Sequence, residues 1–113
     1  MSAPDRIDWI ANFGNRGRVK RDNDIILCRD GFELSVVAGG GTHSRPRTLR
    51  ENSDENPGSD TVSYNYPGPY SAVDVLPYGG VPPHWTQYRE DDLFAYVPVA
   101  IVRDLIQQHG GQA

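Results

Sequence analysis

Between Gly39 and Arg47 the chain reads GGGTHSRPR, and no other stretch gathers so many groups able to hold an anion. Gly39, Gly40 and Gly41 offer consecutive backbone N–H groups with no side chains in the way. Thr42 and Ser44 add hydroxyls, His43 an imidazole, and Arg45 and Arg47 the guanidinium forks that suit phosphate. Arg29, in the neighbouring turn, is a further cation for the same task, and Tyr70 and Trp85 are rings on which a base could stack. The chemistry implied is capture of a small anionic ligand, a nucleotide above all. The same composition also describes a bulged surface loop with solvated arginines. The lysine and spacing of a Walker A loop are missing, and no GxGxxG precedes a predicted helix.

The elements that must position these groups are short. Ile25 to Leu27 is a β-branched apolar run, and after Arg29-Asp30-Gly31 the residues Phe32, Leu34, Val36 and Ala38 alternate with Glu33, Ser35 and Val37. An apolar run before Asp-Gly and a period of two after it predict a hairpin with a two-residue type I′ turn, strands about 24–28 and 32–38. A third strand is expected at about 70–76 and a fourth at about 93–97. Pro98 then opens a helix to His109, whose Val99, Val102, Leu105 and Ile106 form one stripe and which Gly110-Gly111 stops. His84 to Glu90 reads as one or two helical turns carrying Trp85 and Tyr88. The fold class expected is α+β: a small antiparallel sheet of about four strands, one C-terminal helix packed on it, and long Gly/Pro-rich loops.

Size and composition agree with one such domain. The 113 residues can bury one modest core, and 12 Gly with 9 Pro point to many turns. Residues 1–22 read as an irregular arm, its Trp9, Ile10 and Phe13 packing on the body, and residues 23–113 as the domain. Within it, residues 48–62 are too polar to order themselves and are expected to form a mobile loop. Tyr64 to Tyr70 (YNYPGPY) reads as a tyrosine-crowded turn.

The formal charge is -4, which disfavours a general nucleic-acid binder. It is unevenly spread: residues 1–50 hold nine Arg or Lys against six Asp or Glu, net +3, and residues 51–113 hold two against nine, net -7. Complementary halves together with an unpaired hairpin edge lead us to expect a homo-oligomer. Cys28, the only cysteine, cannot form a disulfide within the chain, reads as a small buried apolar residue, and suits a reducing cytoplasm. No apolar run approaches the roughly 18 residues of a membrane span, so neither a signal peptide nor an anchor is expected.

Cys28-Arg29-Asp30-Gly31-Phe32, then Tyr66-Pro67-Gly68-Pro69-Tyr70, then Tyr96-Val97-Pro98-Val99 leading to His109-Gly110-Gly111, resemble a group of small uncharacterised proteins of bacteriophages that infect actinobacteria. That resemblance implies a viral protein acting in the host bacterial cytoplasm; it carries no assigned activity and no functional residues. Accessory phage proteins of this kind often bind host components, and one class acts as an anti-defence sponge for nucleotide signals.

Catalysis has little to stand on in the sequence. His43, His84 and His109 lie 41 and 25 residues apart, without the i, i+4 spacing of a metal-binding helix, and no G-x-S-x-G elbow occurs. The expectation is therefore a non-enzymatic protein that captures a small anionic ligand through Arg29, Gly39 to Arg45, Arg47, Tyr70 and Trp85, with no metal and no cofactor. The alternatives are a protein that binds and inhibits a host protein, or a minor virion component.

Overall fold

The structure, a computed structural model, describes residues 5–16 and 24–113. It begins with a helix, α1 (Arg6–Phe13), where the sequence reading placed only an irregular arm. Ile7, Ile10 and Ala11 recur at helical spacing and are all buried, while Gly14, at φ 67°, ends the helix and donates its N–H to the Ile10 carbonyl at 2.8 Å. Eight residues are too few to hold a helix alone, so packing rather than propensity makes this one. Trp9 and Phe13 do not belong to the core as expected: their rings pair at 4.5 Å on the outer side and are 41% and 46% exposed.

The strands follow in the order β1 (Ile25–Leu27), β2 (Glu33–Val37), β3 (Arg47–Thr48), β4 (Thr61–Val62), β5 (Ala72–Pro77), β6 (Arg89–Glu90) and β7 (Leu93–Pro98). A 3-10 helix, Pro83–Tyr88, precedes β6, and α2 (Val99–Gln108) follows β7 directly. The main sheet has five strands in the order β1-β2-β5-β7-β6, every neighbouring pair antiparallel. The architecture is thus α+β as expected, with β6 as a fifth strand where helical turns were read to Glu90. β3 and β4 form a separate parallel pair at the base of the polar segment 49–60.

Because partners across the register share a face, Ile26, Leu34, Val36, Val75 and Phe94 lie together against the helices. α2 adds its buried Val99, Val102, Leu105 and Ile106, which is the stripe read from the sequence. It ends in a Schellman motif: Gly111 donates to Ile106 and Gly110 to Gln107, both glycines at positive φ. Asp8 of α1 and Arg103 of α2 form an ion pair across the two helices. On the opposite face of the sheet Leu27 and Leu76 are 46% and 39% exposed.

Two details of the hairpin correct the reading. The turn is not type I′: Cys28 donates to Phe32, Gly31 donates back to Cys28, and within the turn only Gly31 has positive φ, which makes a three-residue loop. The Asp30 carboxylate takes up the work of an Asx turn by accepting the Phe32 N–H at 2.9 Å. The outer edge of β1 is also not unpaired. After α2 the chain runs back along it, Cys28 bridging Gln112, Arg29 donating to Gly111 and Ala113 donating to Leu27. An open hairpin edge therefore gives no reason for strand addition between copies.

Candidate functional site

The Gly39 to Arg47 loop leaves the end of β2 and crosses the ends of β5 and β7. Its glycines answer packing demands. Gly39 has φ 129°, and a Cβ there would lie 2.7 Å from the Arg16 carbonyl oxygen, the two residues forming a parallel bridge. At Gly40 a Cβ would meet two ring atoms and the carbonyl oxygen of Tyr64, all at 2.6 Å. Gly41, at φ 83°, faces open space. The segment is stitched from below by Asn15, a residue the sequence reading passed over. Fully buried, it donates from Nδ2 to the Val36 carbonyl and accepts the Ala38 N–H at Oδ1, both at 2.9 Å. One cue to it was a lone Asn directly after a helix-ending Gly, which is too common to single out.

The loop's polar groups largely satisfy one another. Thr42 gives its N–H and hydroxyl to the Gly39 carbonyl, its hydroxyl oxygen lies 2.5 Å from that of buried Ser44, and Gly39 donates to Ser44 at 3.4 Å. The His43 N–H points at a carboxylate, donating to Asp74 Oδ2 at 2.9 Å. The N–H groups of Gly39, Thr42 and His43 are thus taken up within the fold. What the loop presents outward are the side chains of His43 and Arg45.

These two surround Tyr96, the bulged residue of β7. The register steps from Val73↔Val97 to Val75↔Phe94, leaving an extra β7 residue opposite Asp74, and Tyr96 takes φ 53°, a left-handed conformation costly for an aromatic residue. The Tyr96 N–H donates to the His43 carbonyl. The His43 ring meets the Tyr96 ring edge-on at 5.4 Å, and the Arg45 guanidinium lies over that ring, 4.9 Å from its centre. The Arg45 N–H donates to the Ala72 carbonyl and the Arg45 carbonyl accepts the Ser71 N–H, so a bonded backbone holds the imidazole and the guanidinium beside Tyr96.

Beneath them sits Asp74, only 5% exposed. Its Oδ2 faces the His43 Nδ1 at 3.2 Å as well as the His43 N–H, while Oδ1 has no hydrogen-bond partner among the described residues. Asp74 also lines a groove of about 320 Å³ on the face of the sheet opposite the helices. Ser35, Val37, Leu76 and Leu93 line it together with Gly40, Gly41 and Thr42, and Arg16 and Asp24, ion-paired at 2.6 Å, stand at its rim.

Of the residues expected to form one site, the structure gathers Gly39 through Arg45 and brings Tyr96 and Asp74 to them. Arg47 is exposed next to them on β3. Arg29 lies at the hairpin tip, beyond the other end of β2, a strand of five residues at about 3.3 Å each. Trp85 is 1% exposed and packs edge-on against Phe94 at 5.4 Å, so it is core and not a stacking platform. Tyr70 is 3% exposed; its hydroxyl donates to the Tyr66 carbonyl, and burial, with Tyr66 adding to it, pushes its pKa up to about 12. Asp74 and Tyr96 carried no sequence signal as site residues, because only the pairing of β5 with β7 sets them beside the loop.

Elsewhere the ionisable groups act structurally. The Phe32 N–H and His109 hold the Asp30 carboxyl below its usual value, with the His109 ring stacked on Phe32 at 3.9 Å. Burial, and then the charge of Asp30, raises the Cys28 thiol, which makes it a poor nucleophile. No group of three or more His, Cys, Asp and Glu among the described residues is placed to hold a metal ion, and no helix there is long and apolar enough to cross a membrane.

No protein-family model, no curated protein and no solved structure matches the chain.

Proposed function

We propose that this protein is a non-enzymatic binding module that captures a phosphate-bearing ligand, a nucleotide in particular, at the surface formed by His43, Arg45 and Tyr96. The observation that carries the reading is the Arg45 guanidinium. It is held over the Tyr96 ring with no carboxylate partner among the described residues, and the half-exposed His43 ring stands beside the same tyrosine. Stacking restricts the arginine side chain and leaves the edge of its fork open to solvent, so less entropy is lost when it grips phosphate. Binding is favoured over catalysis because the neighbouring hydroxyls of Thr42 and Ser44 bond each other, and neither is hydrogen-bonded to His43. On the resemblance to actinobacteriophage proteins, the ligand would be a nucleotide signal of host immunity, held stoichiometrically.

The test is calorimetry and thermal shift with inorganic phosphate, ADP-ribose derivatives and cyclic mono-, di- and trinucleotides, wild type beside Arg45→Ala. Loss of one charge-assisted bond is expected to cost about 1.5 to 3 kcal/mol, roughly tenfold to a hundredfold in affinity. If no ligand binds the wild type, or if both proteins bind alike, the reading fails. A second reading, docking of a protein partner, is favoured by the exposed Leu27 and Leu76 on the face of the sheet opposite the helices and by the exposed Trp9 and Phe13.

A further inference from the structure

Asp74 and His43 form an unequal pair. The carboxylate is buried, and two His43 groups, the backbone N–H and ring Nδ1, converge on its Oδ2 at 2.9 and 3.2 Å. A carboxylate oxygen only accepts, so the ring nitrogen that faces it carries the proton of the neutral imidazole. The two nitrogens of an imidazole point in diverging directions, which leaves Nε2 facing away from Asp74 on a half-exposed ring. In the neutral ring that outward nitrogen is a bare lone pair and repels an anion. Once protonated, the same nitrogen donates to the anion with a charge behind the bond.

We infer that anion capture at this site is coupled to one proton: Asp74 locks His43 in its Nδ1–H form, so that His43 grips phosphate only as the imidazolium. This rests on the phosphate reading, and it makes Asp74 a positioning residue beneath the ligand rather than a contact to it. The ionisable neighbours of the ring fit that role. Below it stands Asp74 of β5, whose Oδ1 has no partner among the described residues and whose buried charge an imidazolium offsets. Beside it are Tyr96 of β7, its ring edge-on at 5.4 Å, and Arg45 of its own segment, held over that tyrosine. Arg16 and Asp24, paired with each other, border the groove that Asp74 lines. Phenols and guanidinium groups do not ordinarily titrate near neutral pH, whereas imidazole does. By linkage, a proton that strengthens anion binding is itself bound more tightly when the anion is present, so affinity falls as pH rises.

The experiment is calorimetric titration of sulfate and of 3′,5′-cyclic AMP, whose charges stay constant between pH 5.5 and 8, into wild type, His43→Gln, Asp74→Ala and Arg45→Ala across that range. Each titration is run in two buffers of different ionisation enthalpy, which reads proton uptake. Wild type is expected to bind both anions about tenfold or more tightly at pH 5.5 than at pH 8, the worth of one charge-assisted bond, and to take up a proton on binding near pH 7. His43→Gln should bind alike at the two ends of the range and take up none. Nitrogen-15 NMR of wild-type His43 at pH 8 should place the ring proton on Nδ1. Asp74→Ala frees the ring to carry its proton on Nε2, so the gap between its two affinities should narrow, whereas a merely structural Asp74 would shift both alike. Equal wild-type affinity at the two pH values with loss in Arg45→Ala, an Nε2–H ring at pH 8, or a pH dependence that survives His43→Gln would overturn the coupling and leave the phosphate site standing. No binding of either anion by wild type at any pH would overturn both.

Discussion

Replacing Gly40 by alanine sets two effects of opposite sign against each other, and the structure decides between them. Gly40 is not among the glycines at positive φ, so its backbone conformation accepts an L-residue. On that ground alone Gly→Ala would stabilise by about 0.4 to 1 kcal/mol, by restricting the unfolded chain. The new methyl, however, would lie 2.6 Å from two atoms of the Tyr64 ring and from the Tyr64 carbonyl oxygen. The ring can swing aside, but the carbonyl is backbone and cannot move without the loop. Overpacking of this kind costs about 1 to 3 kcal/mol. The net effect expected is a loss of about 1 to 2 kcal/mol. With an unfolding entropy of roughly 2.1 cal/mol/K per residue, one kcal/mol lowers the melting temperature of a chain this long by about 4 °C, so Gly40→Ala should melt about 4 to 8 °C below wild type. Scanning calorimetry or a urea titration reads this directly. Tyr64→Ala in the same background should restore part of the loss, since it removes the ring and leaves the carbonyl. A Gly40→Ala protein that melts at or above wild type would refute the packing of the loop on Tyr64, and with it the account of why glycine stands there.

Val102→Asp should leave the protein unfolded or insoluble: Val102 is fully buried under the sheet, and an unpaired carboxylate there costs several kcal/mol against a total stability of roughly 5 to 15; circular dichroism and a melting curve check it. Tyr70→Phe tests the alkaline limb. A folded pKa raised to about 12 from an ordinary 10 gives stability that is complete below pH 10 and is lost as pH rises toward 12, on the order of 2 to 3 kcal/mol. The phenylalanine variant should lack that decline in urea melts between pH 9.5 and 12.

Much of the architecture was open to reading because it rests on local periodicity. Alternation over Phe32 to Ala38 can bury one set of side chains only as a strand, and Val99, Val102, Leu105 and Ile106 share a face only in a helix. Pro98 and Gly110-Gly111 bound that helix by their backbone preferences alone. α1 escaped notice because a single Ile-x-x-Ile-Ala turn is too short a pattern to stand out beside two conspicuous aromatics, and its stability comes from contacts with α2 and β2. β6 escaped because two residues have no period.

The candidate site divides along the same line. From sequence alone, the residues 39–47 could be picked out as the chain's one concentration of anion-gripping groups, since composition is a local property. Composition could not say which of those groups remain available. Gly40 is spoken for by Tyr64, the hydroxyls of Thr42 and Ser44 by each other, and the N–H of His43 by Asp74, a residue 31 positions away. Trp85 and Tyr70 looked like platforms as single letters and became core once the sheet closed over them. Tyr96 and Asp74 entered the site only through a bulge where β7 carries one residue more than β5. Which side chains face outward together depends on pairing between distant segments, and that is fixed by burial of the common core rather than by anything written within the loop itself.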